Sequence, residues 1–149
     1  IRRPPRSTHC ISSAASDVYK RQFVDHEIDI VVGIESRGFI FGAPIADILE
    51  CSFVPVRKPG KLPWKTESVS YELEYGSDKL EIHRDSIEPD LNVLIVDDLL
   101  ATGGTLKCAE ELINDNGGNV TLSIVVIELI ALKGKHQLSS NFYSVLNYD

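Results

Sequence analysis

The stretch of the chain richest in chemistry is Val93-Leu94-Ile95-Val96-Asp97-Asp98-Leu99-Leu100-Ala101-Thr102-Gly103-Gly104-Thr105. An apolar run delivers two adjacent carboxylates. A short loop with two glycines between two threonines then leads into Leu106, Ala109, Leu112 and Ile113, apolar positions at helical spacing. In open α/β sheets ligands bind outside the carboxyl ends of the strands, so this layout predicts a ligand crevice. Gly103 and Gly104 let the backbone approach a ligand closely, Thr102 and Thr105 supply hydroxyls, and a helix N-terminus offers unpaired N–H groups with partial positive charge. These parts suit a phosphate monoester. Each charge-assisted hydrogen bond is worth on the order of 1.5–3 kcal/mol, so a few of them anchor a phosphate even in an acidic chain.

The elements that must position these residues follow from the hydrophobic pattern. Residues 28–34 form a β-branched run that predicts a buried strand, followed by Glu35-Ser36-Arg37-Gly38 as a turn. Residues 39–49, with Ile40, Phe41, Ile45, Ile48 and Leu49 at helical spacing and Pro44 among them, predict a helix. Residues 52–56 predict a second strand, and residues 58–68, with Pro59, Gly60 and Pro63, a loop. Alternation over residues 69–75, Gly76-Ser77-Asp78 as the link, and a second alternation over 80–83 predict a β-hairpin. Residues 92–96 predict a strand that ends at the acid pair, and the helix after Thr105 stops at Asn116-Gly117-Gly118. Residues 120–127 and 142–146 predict the last two strands, with a short helical turn at 132–138 between them. Strands alternating with helices predict an α/β fold with a mainly parallel central sheet flanked by helices.

Composition narrows the classes. The 149 residues suit one domain with a real core, and 43% hydrophobic with 25% charged residues match a globular protein. No apolar run approaches the roughly 18 residues of a membrane span. The 15 Lys+Arg against 22 Asp+Glu give −7, which argues against nucleic acid or an anionic membrane as partner, so any anion site must be local. Cys10, Cys51 and Cys108 are odd in number and lack a CxxC pair, and His9, His26, His83 and His136 are scattered. This predicts a reduced cytoplasmic chain without zinc or a hydrolytic triad. Residues 1–22 are Ser/Pro/Arg-rich, and composition changes at Phe23, so 1–22 is expected to be a disordered, foreign-looking segment before a core domain at 23–149. The segment holds five of the basic residues and one acid, which leaves 10 basic against 21 acidic residues, a net of −11. The chain has no Met, so the natural N-terminus is expected to be missing.

Taken alone, Thr-Gly-Gly-Thr reads as readily as an N-cap and a turn, and acid pairs at strand ends also occur in receiver-type domains and metal-dependent phosphatases. The whole string, however, resembles the 5-phosphoribosyl-1-pyrophosphate (PRPP) signature of type I phosphoribosyltransferases. Four further segments, in order, resemble adenine phosphoribosyltransferases within that family: Gly33-Ile34-Glu35-Ser36-Arg37-Gly38-Phe39, Val56-Arg57-Lys58-Pro59-Gly60-Lys61-Leu62-Pro63, Tyr71-Glu72-Leu73-Glu74-Tyr75-Gly76 and Phe142-Tyr143-Ser144-Val145-Leu146-Asn147-Tyr148.

The resemblance implies purine salvage, in which adenine displaces pyrophosphate from PRPP to give AMP, with Mg²⁺ held mainly through substrate oxygens, in a homodimer. It implies that Asp97 and Asp98 address the ribose hydroxyls and that Ala101, Thr102, Gly103, Gly104 and Thr105 hold the 5′-phosphate. Ser36, Arg37, Arg57, Lys58 and Lys61 would bind pyrophosphate, with a cis peptide at Glu35-Ser36. Glu74 corresponds to the catalytic carboxylate, with Glu72 two residues away on the same side. The loop at 58–68 would close over substrate, and Trp64 either helps that closure or anchors the loop. In the family a hood precedes the first strand and covers the purine. Here it is expected to be missing, which implies that PRPP and Mg²⁺ bind better than adenine turns over. Two alternatives share the phosphate loop: transfer to another nucleobase, and a non-catalytic protein that binds PRPP or a nucleotide.

Overall fold

The structure is a computed structural model that describes residues 27–73 and 76–149. The expected tail at 1–22 and the candidate Glu74 lie outside the described residues. Five strands, β1 (Ile30–Ile34), β2 (Ser52–Val56), β5 (Asn92–Leu100), β6 (Asn119–Leu129) and β7 (Asn141–Tyr148), form one sheet in the order β2-β1-β5-β6-β7. All four pairings are parallel. Two helices cross over between strands: α1 (Gly38–Leu49) leads from β1 to β2, and α2 (Gly104–Asp115) from β5 to β6. A separate antiparallel hairpin pairs β3 (Thr66–Leu73) with β4 (Gly76–His83).

Parallel strands bury both faces, which is why Ile30-Val31-Val32-Gly33-Ile34 has no polar residue and is buried throughout. Its alternate side chains enter two cores. Ile30, Val32 and Ile34 join Val93, Ile95, Leu106, Ala109, Leu112 and Ile113, with Leu80 and Ile82 of the hairpin. Val31 joins Ala46, Leu94, Val96, Leu122 and Ile124 on the other face. The helices therefore cover opposite faces of the parallel sheet, the α/β arrangement expected from the sequence. Pro44 lies inside α1 and removes one amide from its ladder, yet the helix runs on to Leu49 because Ala46 is packed into the second core.

Several strand boundaries differ from the sequence pattern, three of them near the crevice or the hairpin. The expected strand at 92–96 runs on to Leu100, so Asp97 and Asp98 lie within β5. The cause is tertiary: β6 extends to Leu129 and supplies ladder partners, Val125 to Asp97 and Ile127 to Leu99. In the hairpin, Gly76, Ser77 and Asp78 belong to β4, paired with Leu73, Glu72 and Tyr71, so they are strand and not link. The loop before it is shorter than expected, since β3 begins at Thr66, which pairs with His83.

The strand order identifies where a ligand can bind. From β1 the chain moves outward to β2, whereas from β5 it moves the opposite way to β6 and β7. Neighbouring strands whose connections diverge leave a crevice at their carboxyl ends. The two segments that leave this crevice are Glu35-Ser36-Arg37 and Ala101-Thr102-Gly103.

Candidate active site

A cavity of about 400 Å³ occupies the crevice between β1 and β5. Its walls include Glu35, Ser36 and Arg37 from the first turn, Lys58 from the loop after β2, Asp97 and Asp98 from β5, and the run from Ala101 to Leu106. Residues far apart in sequence thus face one space. The Glu35–Ser36 peptide is cis, the bond the resemblance implied.

In the loop after β5, from Ala101 to Thr105, the cavity is lined by backbone and by two threonine residues. Gly103 is the N-cap of α2 with φ +93, and no side chain caps the helix. The amide of Lys107 donates to the carbonyl of Gly103 at 2.9 Å to close the first turn. Left-handed φ is open to glycine without a Cβ penalty, which explains the residue type at this position.

The two acids differ in their surroundings. Asp98 pairs with the Arg37 guanidinium at 2.7 Å. Asp97 accepts the amide of Asp98 at 2.9 Å. Burial pushes the Asp97 carboxyl up, and the Asp98 charge adds to this against the opposing Asp98 amide and Arg37, so it titrates at about 7. Its surroundings therefore favour the protonated form relative to an exposed aspartate.

Glu35 shows the reverse. Its carboxylate accepts Arg57 Nε and Nη2 at 3.2 and 3.3 Å, the Lys58 amide at 3.0 Å and Lys61 Nζ at 2.8 Å. Burial alone would raise its pKa, but these donors outweigh burial and hold it at about 2. Arg57 also donates to the Lys61 carbonyl at 3.0 Å, and the Gly60 amide donates to Glu81 at 3.0 Å. The base of the basic loop is thereby tied to β1 and β4. Trp64 is 81% exposed and anchors nothing in this conformation.

The structure therefore brings Ser36, Arg37, Lys58, Asp97, Asp98 and Ala101, Thr102, Gly103, Gly104 and Thr105 around the cavity, and places Arg57 and Lys61 one residue back, on Glu35. The sequence reading did not single out Glu35 as an organiser of the loop. An acid between an apolar strand and an arginine carries no distinctive signal, and its partners lie more than 20 residues away.

Comparison with known proteins shows the family. The chain matches the family model of the phosphoribosyl transferase domain over residues 3–145. It is 57% identical over 126 residues to an adenine phosphoribosyltransferase of Methanococcus maripaludis, which covers 84% of this chain and 73% of that protein. Among solved structures, the adenine phosphoribosyltransferase of Thermoanaerobacter pseudethanolicus matches with a TM-score of 0.86 and 43% identity, over 91% of this chain and 79% of that one. The Saccharomyces cerevisiae enzyme, complexed with D-2,5-dideoxy-2,5-imino-altritol 1,6-bisphosphate and adenine, matches with a TM-score of 0.83 and 43% identity, over 89% and 76%. Fold and site together define a phosphoribosyltransferase. Within that class, the chain belongs to the adenine phosphoribosyltransferase family.

Proposed function

We infer that the protein performs purine salvage, transferring the 5-phosphoribosyl group of PRPP to adenine to form AMP and pyrophosphate. The observation that carries this reading is the single crevice in which Arg37, Lys58, the acid pair and the loop at 101–105 face one another. In the reaction a C–N bond forms at the anomeric carbon, the C–O bond to pyrophosphate breaks, and the purine gives up a proton. Negative charge grows on the leaving group while the ribose becomes cationic, so cations are needed at one end and carboxylates beside the sugar.

In this reading the backbone and hydroxyls of Ala101, Thr102, Gly103, Gly104 and Thr105 hold the 5′-phosphate, and Asp97 and Asp98 hold the ribose hydroxyls. Ser36, Arg37 and Lys58 bind pyrophosphate, with Arg37 leaving Asp98 for the more highly charged anion. Arg57 and Lys61 join them when the loop after β2 closes over substrate and excludes water. Glu74 stabilises the ribosyl cation or takes the purine proton.

No cluster of three potential metal-ligating side chains occurs among the described residues. The donors present are the oxygens of Asp97 and Asp98, a set that fits Mg²⁺ bound through substrate oxygens and its own waters. When bound, the ion would offset charge on the departing pyrophosphate.

A homodimer fits the outer face of α1, where Ile40 is 67% and Phe41 37% exposed beside exposed Ala43 and Pro44. A cytoplasmic location fits the free thiols of Cys51 and Cys108. Among the described residues no helix is long and apolar enough to cross a membrane.

The deciding experiment measures pyrophosphate release from PRPP with each nucleobase in turn. Adenine alone should support release, with Mg²⁺ present. Equal release with hypoxanthine, guanine or a pyrimidine would overturn the base assignment, and none with any base would overturn transfer.

A further inference from the structure

We propose that the 3₁₀ segment Gly134–Gln137, which follows β6, positions the phosphate loop through Gly134 and Gln137. The proposal rests on the phosphoribosyl reading of the site and adds to it two residues that line no part of the cavity. Gln137 Nε2 donates to the carbonyl of Thr102 at 2.8 Å across 35 residues of chain. Because the peptide unit is planar, holding that carbonyl also holds the orientation of the Gly103 amide. Gly134 is buried against the same loop: a Cβ there would lie 2.3 Å from the Ala101 carbonyl oxygen and 2.9 Å from the Gly103 nitrogen. Conversely, a Cβ on Gly103 would lie 2.4 Å from the Gly134 carbonyl oxygen. Backbone meets backbone on both sides, so no flexible side chain is present to give way.

The segment is itself secured at two points. Ser139 and Ser140 donate their amides and hydroxyls to Glu110, a 2% exposed carboxylate on α2. Lys135 Nζ lies 3.8 Å from Glu128, which is 4% exposed near the end of β6 and also accepts the Ser144 hydroxyl at 2.9 Å. The helix that begins in the phosphate loop and the segment that braces the loop are therefore joined into one body. Gly103 caps α2 without a side-chain hydrogen bond, so the loop gets its rigidity from this tertiary brace. A loop that is competent only part of the time binds its ligand more weakly by that fraction, so the brace acts on phosphate affinity.

The test uses Gln137→Leu, Gln137→Lys and Gly134→Ala. The readouts are calorimetric affinity for ribose 5-phosphate, KM for PRPP and for adenine, and hydrogen exchange at the amides of residues 103–105. Gln137→Leu should weaken ribose 5-phosphate binding and raise KM for PRPP by about three- to tenfold, with faster exchange and unchanged melting temperature and adenine KM. Gln137→Lys, which keeps a donor, should recover most of the loss. Gly134→Ala should cost about tenfold or more, since the loop must shift to admit the methyl group. If Gly134→Ala does not fold, the exposed Gln137 variants decide. Unchanged ribose 5-phosphate affinity in Gln137→Leu, or an equal rise in both KM values, would overturn the brace. If the wild-type chain binds ribose 5-phosphate but transfers nothing to adenine, the proposed function fails and the ribose 5-phosphate comparison alone decides the brace. Wild-type protein that binds no ribose 5-phosphate would overturn both.

Discussion

On the β1 side of the crevice, cations meet carboxylates: Arg37 pairs with Asp98, while Arg57 and Lys61 pair with Glu35. In the loop that leaves β5, beyond the acid pair, the cavity is lined by backbone and by the hydroxyls of Thr102 and Thr105, and close packing against Gly134 with one hydrogen bond from Gln137 holds that loop. The two sides suit different tasks. The Arg37–Asp98 pair, whose arginine side chain is 68% exposed, is weak enough to exchange for an incoming anion, which suits a group that arrives and leaves as pyrophosphate, whereas the buried Glu35 carboxylate holds Arg57 and Lys61 more firmly. Packed backbone does not exchange partners, which suits a phosphate that stays on the sugar throughout. The acids mark the same division, with Glu35 held down at about 2 and Asp97 pushed up to about 7.

The largest effect is expected where the two sides meet. Asp97→Asn or Asp98→Asn should lower kcat/KM for PRPP about 100-fold, with melting temperature nearly unchanged. A parallel loss of stability and activity, with normal affinity in the folded fraction, would make the pair structural.

Removing the support of the β5 side tests whether its rigidity is tertiary. Glu110→Ala removes a buried carboxylate that accepts from the amides and hydroxyls of Ser139 and Ser140, and each hydrogen bond to a charged group is worth about 1.5–3 kcal/mol. Thermal unfolding should shift down by about 5 °C or more. A shift within about 1 °C would show that the segment is held without Glu110.

Arg37→Ala separates the two sides directly. KM for PRPP should rise about tenfold while ribose 5-phosphate affinity, which involves only the other side, stays level. An equal loss for both ligands would remove the distinction.

The smallest effects are in pH dependence. Glu35 has a folded pKa below its unfolded value of about 4.3, so its contribution is complete above that pH and is lost as pH falls toward about 2. Asp97 has a folded pKa above its unfolded value of about 3.9, so stability falls as pH rises from there to about 7 and then levels off. Urea unfolding followed between about pH 3 and 8 should show Glu35→Gln flattening the acidic limb and Asp97→Asn the neutral one. The same pH profile in both variants would mean that neither carboxylate titrates as its surroundings dictate.

Local pattern carried much of this protein. The β-branched run at β1, the helix face of Leu106, Ala109, Leu112 and Ile113, and the acid pair before two glycines are periodicities and contiguous motifs. Any chain that buries them has few ways to do so. They also pointed to the parallel sheet and to most residues that line the crevice. What the sequence could not carry depends on partners distant along the chain. β5 runs past Val96 to Leu100 because β6 is long enough to pair with it. Arg57 and Lys61 settle on Glu35 because β1 and β2 are neighbours. Gln137 reaches Thr102 only because the end of β6 lies beside the end of β5. Residue types and spacing by themselves determined which groups could bind a phosphorylated sugar. Only the tertiary structure decided which of those groups share a cavity and which are held back in ion pairs, because burial and long-range hydrogen bonds exist only once the strands are side by side.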